Sequence, residues 1–358
     1  MAYSAQRDEP AAADIGGADH AAKIDQLLLS GLDHYFRGRF ERAIDVWTRV
    51  LFLDSSHARA RTYIDRARAA VAERVRESEA LRQAGGVSRA DAIDAPGPSM
   101  MHDFAITETY VIFPLGSVYF DIQAIAEGGT FGDAIKARPD LNLKFGIRRR
   151  EAGSEVSWFD APSVGYMFHP GNAYEEDGKI FMDACTYENP QGLLDTLGSV
   201  RDATDCDGLI AHPYLYEFDL ASGTCKETKL SDISAEFPRI DDRLIGYKNR
   251  WGYAATGEPG QGAGSFARRI TKYDRRGGPS VDQPIIHGQW VGEPVFVPRC
   301  EGAEEDDGFV LNMLYDAVGD RSALEVRDAR AIDSEPLARL WLEERVPVGF
   351  HGNWLQTQ

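Results

Sequence analysis

Three tight turns, each between two apolar runs, constrain the fold of residues 101–358 more than any other feature. The runs alternate apolar and polar residues, the two-residue period of a half-buried β-strand. The turns fall at Asp177–Gly178, Ser222–Gly223 and Gly319–Asp320, and such glycine-containing pairs are strong hairpin signals. This pattern predicts a mainly β structure, either a sandwich, a barrel or a propeller. Hairpins at a spacing of roughly 45 residues favour four-stranded propeller blades.

The residues before these hairpins carry a different pattern. Residues 1–22 have no hydrophobic core of the kind found in a secretory signal, and we expect a disordered leader there. Residues 23–84 place apolar residues at helical spacing, interrupted near Gly38, and predict a short α-helical hairpin. Ser55 or Ser56 is expected to cap its second helical stretch. Residues 85–98 have the composition of a linker.

The helical segment resembles one tetratricopeptide repeat. Residues at or near that repeat's small and large packing positions are Gly31, Tyr35, Gly38, Ala43 and Trp47. A generic helical hairpin accounts for the same pattern equally well. One such repeat cannot bury its own apolar face, so residues 23–84 are expected to dock a protein partner rather than to carry chemistry.

Charge and composition exclude several classes of function. The net charge is −18, so nucleic acid is not an expected partner, because phosphate binding needs a basic face. Residues 1–100 carry 14 Lys and Arg against 15 Asp and Glu, whereas the remainder carries 25 against 42. No apolar run approaches the roughly 20 residues of a transmembrane helix. The four cysteines form no CxxC pair, which indicates reduced thiols and a cytoplasmic protein.

Two histidines and two glutamates are the candidate site residues. His102 and His351 bracket the β-rich region, and in a ring of blades both can point to one axis and share a metal; each can equally be structural. Glu236 and Glu293 each open a short strand. They are either solvated carboxylates or partners that accept the second N–H of a metal-bound imidazole.

The other six histidines are interpreted as structural. His20 lies in the leader, and His34 and His57 are expected to be surface or capping residues of the helical segment. The remaining three lie among β-turns and are His169, His212 and His287.

Five segments in this chain resemble the carotenoid cleavage oxygenase family in their order and spacing. They are "MMHDFAITETYVIFP", "FHPGNAYEEDGKIFMDAC", "AEFPRIDDRLIGYKNRWGYA", "GEPVFVPRCEGAEEDDGFVLNMLYDAVGDRSALEVRDAR" and "RVPVGFHGNW". The resemblance covers about residues 99–356 and leaves residues 1–95 unmatched.

The resemblance implies a fold and a cofactor. Family members are seven-bladed β-propellers with iron(II) on the axis, held by four histidines, three of which are in turn held by glutamates. For this chain it implies a partial propeller of about four to five blades over residues 99–358, with Fe(II) as cofactor. Neutral imidazoles suit iron.

The resemblance also implies roles for single residues. His102 matches the third iron ligand and His351 the fourth, with Glu236 as the partner of His102 and Glu293 as the partner of His351. His169 and His287 match positions that are not ligands. The first two ligands belong to blades that this chain lacks, so two of the four iron histidines are expected to be missing.

Two functions are therefore open. The first is an iron(II)-dependent dioxygenase that uses dioxygen to split an alkene bond of a carotenoid, apocarotenoid or stilbene-type substrate into two carbonyl products. The alternative is a non-catalytic fusion or remnant that acts as an interaction protein through its helical segment.

Overall fold

A computed structural model describes residues 15–83, 90–199, 210–257, 268–346 and 351–355. The described residues form two compact units. The first is drawn from Met1–Asp94 and Asp121–Ile135, and the second from Ala95–Phe120 and Lys136–Gln358. The second unit thus begins slightly before the predicted start at residue 99, and a short insertion belongs to the first unit.

The first unit is helical. Its helices are α1 (Ile15–Phe36), α2 (Phe40–Leu53), α3 (Ala58–Gln83), α4 (Ile122–Ala126) and α5 (Phe131–Ala134). Three long helices therefore replace the predicted hairpin. The prediction of a disordered leader is wrong from Ile15 onward, because the alanine-rich stretch before Lys23 extends α1 toward the N-terminus. Residues 1–14 lie outside the described residues.

Two residues selected from the sequence form the centre of this helical unit. Trp47 is 1% exposed, and its Nε1 donates a hydrogen bond to the Leu28 carbonyl at 3.1 Å. A Cβ at Gly31 would lie 2.1 Å from the same Nε1, so the close approach of α1 and α2 requires glycine. The tetratricopeptide-like interpretation stays a prediction.

The start of α3 differs from the expectation. The His57 Nδ1 accepts a hydrogen bond from the Ala60 amide at 3.2 Å, so His57 caps the helix, not Ser55 or Ser56. Capping is one of the two roles expected for His57. Gly85 and Gly86, which open the predicted linker, lie outside the described residues.

The second unit contains four antiparallel sheets that follow one another along the chain. The first has β1 (Ala105–Ile106), β2 (Tyr110–Leu115), β5 (Lys144–Arg149) and β6 (Ser157–Asp160). The second has β7 (Pro170–Glu176), β8 (Lys179–Tyr187), β9 (Ala211–Asp219) and β10 (Thr224–Lys229).

The third sheet has β11 (Ala235–Arg239), β12 (Trp251–Thr256), β13 (Arg269–Asp274) and β14 (Val281–Asp282). The fourth has β15 (Gln289–Val291), β16 (Val295–Pro298), β17 (Gly308–Asp316), β18 (Arg321–Asp328) and β19 (Ala338–Trp341). Outside these sheets lie β3 (Val118–Phe120), β4 (Ile135–Ala137), α6 (Pro190–Ser199) and a 3₁₀ turn (Asp242–Leu244). The prediction of a mainly β, partial propeller is confirmed, with four blade-like sheets.

The three predicted hairpins are present. β7 and β8 join through Asp177 (φ 51°) and Gly178 (φ 77°), the positive angles of the tight turn whose twist matches paired strands. β9 and β10 join through a turn that contains Gly223 (φ 70°), and β17 and β18 through one that contains Asp320 (φ 45°).

The first strands of the first three sheets lie beside one another. β7 contacts both β1 and β11, so residues that precede or begin these strands come together although they are far apart in sequence. The buried core of the first two sheets, which includes Ile112, Phe145 and Phe218, stabilises this arrangement of strands.

Asn172 ties β7 to the loop that follows β11. Its Nδ2 donates to the Tyr247 carbonyl and to the Asn249 Oδ1, both at 2.9 Å, and its Oδ1 accepts from the Gly246 amide at 3.0 Å. The side chain satisfies backbone groups that would otherwise be buried without partners. It therefore sets the distance between the second and third sheets.

Cys185, Cys225 and Cys300 are free thiols, as the sequence indicates, and Cys206 lies outside the described residues. Over the ranges that the structure describes, no helix is both long enough and apolar enough to cross a bilayer.

Replacement of Asn172 by alanine is expected to lower the free energy of unfolding by about 1–3 kcal/mol, because buried polar groups lose their partners. Urea unfolding of the full chain measures this effect. Asn142→Ala is the matched control, since the exposed Asn142 amide also donates to two carbonyls, of Ala161 and Pro162. Equal losses in the two variants would contradict the role given to Asn172.

Candidate metal centre

Three histidines converge at the edge where the first strands begin. His102 precedes β1, His169 directly precedes β7, and His351 lies in the segment after β19. One ring nitrogen of each lies within 4.8 Å of the others. Within the described ranges this is the one group of three or more His, Cys, Asp or Glu with such spacing.

A β-bulge aims the Glu236 carboxylate at His169. The register of β11 shifts between Glu236 and Arg239, and Phe237 has a φ of 55°, which is rare outside glycine. The Glu236 Oε2 accepts from the Phe237 amide at 2.7 Å and contacts the His169 Nδ1 at 2.7 Å. Burial raises the pKa of the neighbouring Tyr187, and the charge of Glu236 raises it further. The Tyr187 hydroxyl therefore stays protonated.

The Glu236 contact fixes the tautomer of His169. A carboxylate only accepts hydrogen bonds, so the proton of a neutral His169 ring belongs on Nδ1. The Nε2 lone pair is then free and faces His351. This is the arrangement in which an outer carboxylate orients a metal-binding imidazole.

Glu293 organises the third histidine. Its carboxylate is 7% exposed, and Oε1 lies 3.5 Å from the His351 Nδ1, while Oε2 accepts from the Gly352 amide at 2.7 Å. Glu293 thus anchors the backbone of the segment that carries His351 and places a negative charge near the Nδ1 of its ring.

Arg239 joins the third and fourth sheets at this point. Its Nη1 donates to the Glu293 Oε1 at 3.0 Å and to the Gly352 carbonyl at 3.3 Å. Its Nη2 contacts the Asp242 carboxylate at 3.4 Å. The guanidinium compensates the charge of the buried Glu293 carboxylate, which would otherwise be costly to remove from water.

The donor set fits a transition-metal cation. The Nε2 atoms of His169 and His351 are 3.3 Å apart; when neither of them carries a ring proton, two lone pairs face each other at this distance. Two nitrogens that each bind one metal at about 2.1 Å lie roughly 3.0–3.4 Å apart. A shared cation therefore suits this spacing, and neutral imidazoles suit iron.

The surroundings of His102 favour its neutral form. Burial lowers its pKa, and the charges of His169 and His351 lower it further, while Asp103 and Glu236 oppose this through their charges. The ring therefore stays neutral, which is the form that binds metals, to a lower pH than a free histidine.

The cluster lies against aromatic surface. The Phe168 ring is 5.2 Å from the His102 ring, and the Phe237 ring is 5.1 Å from the His169 ring, measured between centroids. A cleft of about 490 Å³ opens beside them, and its walls include His169, Glu293 and His351. The site can thus bring an apolar molecule close to the three imidazoles.

The structure changes two expectations about this site. It brings together His102, His351 and Glu293, but His169, which the resemblance placed outside the ligand set, lies in the cluster. Glu236 hydrogen bonds to His169, not to His102 as expected. The reason is positional, since β11 carries Glu236 alongside β7, and His169 precedes β7 directly.

The remaining described histidines lie elsewhere. His34 and His57 belong to the helical unit. His212 is in β9, with its Nδ1 2.9 Å from Glu188, and His287 is exposed in a turn before β15. Their expected structural roles are in accord with these positions.

Sequence reasoning missed His169 and Arg239. The signal for His169 was available, because the hairpin at Asp177–Gly178 places a strand start near residue 170. His102 also lies shortly before its own strand, β1. No comparable signal marks Arg239, since its importance depends on the fold that brings Glu293 beside it.

Comparison with known proteins identifies relatives of this chain. The model of the retinal pigment epithelial membrane protein family matches residues 63–356, which begins inside α3 and thus earlier than the motif blocks. Carotenoid 9,10(9′,10′)-cleavage dioxygenase 1 of Pisum sativum is 32% identical over 278 residues, covering 71% of this chain and 48% of that protein. Apocarotenoid-15,15′-oxygenase of Synechocystis sp. is 32% identical over 265 residues, covering 73% and 53%.

Solved structures of carotenoid and stilbene oxygenases also superpose on this chain. Cobalt-substituted Synechocystis apocarotenoid oxygenase superposes with a TM-score of 0.67 at 31% identity, covering 74% of this chain and 54% of that one. Lignostilbene dioxygenase of Pseudomonas brassicacearum gives 0.65 at 32% identity, covering 74% and 56%.

The chain spans about half the length of the curated relatives it matches. The family model nevertheless covers most of this chain, and both solved relatives share its fold. The chain therefore belongs to the family of the retinal pigment epithelial membrane protein and the carotenoid cleavage oxygenases.

Proposed function

We propose that this chain binds iron(II) through His102, His169 and His351, and that the centre cleaves an alkene bond of a carotenoid, apocarotenoid or stilbene-type substrate with dioxygen. The convergence of the three ring nitrogens within 4.8 Å carries this proposal. Its relatives support the reaction class, since they are named as carotenoid, apocarotenoid and lignostilbene oxygenases. One solved relative is cobalt-substituted, in keeping with a divalent metal.

Iron, when bound, would supply the dioxygen activation needed to split an alkene into two carbonyl products. The protein contributes positioning. Glu236 holds the Nδ1 proton of His169 and so leaves its Nε2 lone pair free, while Glu293 anchors the Gly352 amide beside His351. Phe168 and Phe237 offer an apolar surface that excludes water and suits a polyene or a stilbene.

The number of histidines bears on the choice between the two functions. Two imidazoles would hold a divalent cation weakly, but three protein ligands with positions left open are the usual pattern of a catalytic metal site. Three converging rings therefore favour the dioxygenase over a remnant that acts only through residues 23–84.

Glu236→Gln is expected to weaken Co²⁺ binding by about 10–100-fold, because a neutral amide replaces the charged carboxylate that accepts from His169 Nδ1 and orients the ring. Titration of the full chain with Co²⁺, followed by visible absorption, measures the affinity. Glu188→Gln is the matched control, since it alters a His–Glu pair, with His212, outside the cluster. The proposed role of Glu236 fails if the two variants bind Co²⁺ equally well.

The cleavage reaction is tested with the iron-loaded full chain, oxygen, and either an apocarotenal or a hydroxylated stilbene. Two carbonyl products, identified by mass spectrometry, are expected from the wild type. His351→Ala should abolish them, because it removes a metal-binding imidazole, whereas His287→Ala should not. A wild-type chain that binds iron but gives no product from either substrate class would refute the proposed reaction.

A further inference from the structure

His102 is held differently from the other two histidines of the cluster. The Glu236 carboxylate accepts from the His169 ring, and Glu293 anchors the segment that carries His351. His102 is exposed. Among the described residues, its ring makes contacts with other rings but no hydrogen bond and no ion pair. Packing must therefore set the orientation of this imidazole.

The Phe168 ring supplies that packing. Its centroid lies 5.2 Å from the centroid of the His102 ring, at an interplanar angle of 86°, which is the edge-to-face arrangement that aromatic pairs prefer. The other rings against His102 are those of His169 and His351, which are members of the cluster itself. Of the rings that the structure describes, Phe168 is thus the one outside the cluster that contacts His102.

Two buried tyrosines fix the orientation of Phe168. The Tyr166 and Tyr187 rings lie 4.9 Å and 5.5 Å from the Phe168 ring, at angles of 82° and 86°. These tyrosines are 1% and 5% exposed, and their backbones pair through two hydrogen bonds, at 3.0 Å and 2.7 Å. A rotation of the Phe168 ring would break both edge-to-face contacts, so its position is set by the buried part of the second sheet.

The contact of Phe168 with His102 is distinct from its position beside His169 in the chain. The Phe168 and His169 rings are 6.0 Å apart at an angle of 37°. The His169 ring has its own anchor, because its Nδ1 lies 2.7 Å from the Glu236 carboxylate. Loss of the Phe168 ring therefore removes the packing of His102 but leaves the hydrogen bond that orients His169.

We propose that Phe168 is a positioning residue that holds the His102 imidazole beside the other two histidines, in the place that a carboxylate takes for His169. This inference rests on the proposed metal centre. Without the Phe168 ring, the exposed His102 side chain turns into solvent, and the centre keeps only His169 and His351.

Co²⁺ titration of the full chain, followed by visible absorption, tests this role. Phe168→Leu is expected to weaken binding by about 2–10-fold, the equivalent of one edge-to-face contact, and to change the visible bands, which depend on the number of ligands. Phe168→Met also removes the ring and should act in the same way. Phe168→Tyr keeps the ring and should retain both the affinity and the bands of the wild type.

Phe181→Leu is the matched control. Phe181 is also partly buried, and its ring stacks on that of Tyr174 at 5.2 Å, in the same sheet but outside the cluster. This variant should bind Co²⁺ with the affinity of the wild type. Urea unfolding of each variant checks that it is folded.

A double-mutant cycle shows whether Phe168 acts through His102. His102→Ala and the double variant with Phe168→Leu should bind Co²⁺ equally, because the Phe168 ring then has no ligand to position. A further loss in the double variant would place the effect in the fold or in His169 and overturn the inference. Unchanged affinity and bands in Phe168→Leu would refute this role alone, whereas a wild-type chain that binds no Co²⁺ would refute the metal centre and this role with it.

Discussion

The hydrogen bond between Glu236 and His169, at 2.7 Å, is the contact on which the candidate centre depends. It places the ring proton on Nδ1 and leaves Nε2 as a lone pair that faces His351. Without it, His169 could turn its N–H toward the cluster and satisfy His351 by a hydrogen bond, with no need for a cation. The carboxylate thus fixes the Nε2 of His169 as an electron-pair donor, available to a metal cation.

The fold brings these side chains together by a simple arrangement. The first strands of the first three sheets lie side by side, because β7 contacts both β1 and β11. Residues at the starts of these strands, His102, His169 and Glu236, therefore meet without local sequence contacts. Arg239 extends the arrangement to the fourth sheet by binding Glu293, which in turn holds the segment that carries His351. The centre thus draws on all four sheets and is sensitive to their spacing.

Much of this architecture could be predicted from the sequence. The hairpins at Asp177–Gly178 and Gly319–Asp320 were predictable because turn chemistry is local. His102 and His351 followed from family motifs. His169 was not predicted as a ligand, since a motif match assigns a role by analogy, whereas membership of the cluster depends on which strands are neighbours.

Errors at the N-terminal end have a different cause. The periodic apolar pattern that locates a helix weakens toward its ends, so the start of α1 at Ile15 was missed. The family match from residue 63 also reaches into α3, where the sequence shows helical spacing and no motif. Helix propensity in the sequence indicates that a helix is present, but it does not determine the residue at which the helix begins. It also carries no information about the protein family.

X-ray absorption spectroscopy of the Fe²⁺-loaded full chain counts the bound histidines through the multiple scattering of their imidazole rings. We expect about three imidazole nitrogens near 2.1 Å from the metal in the wild type, and two in His169→Ala. A wild-type spectrum with two or fewer imidazoles, unchanged by His169→Ala, would contradict this expectation.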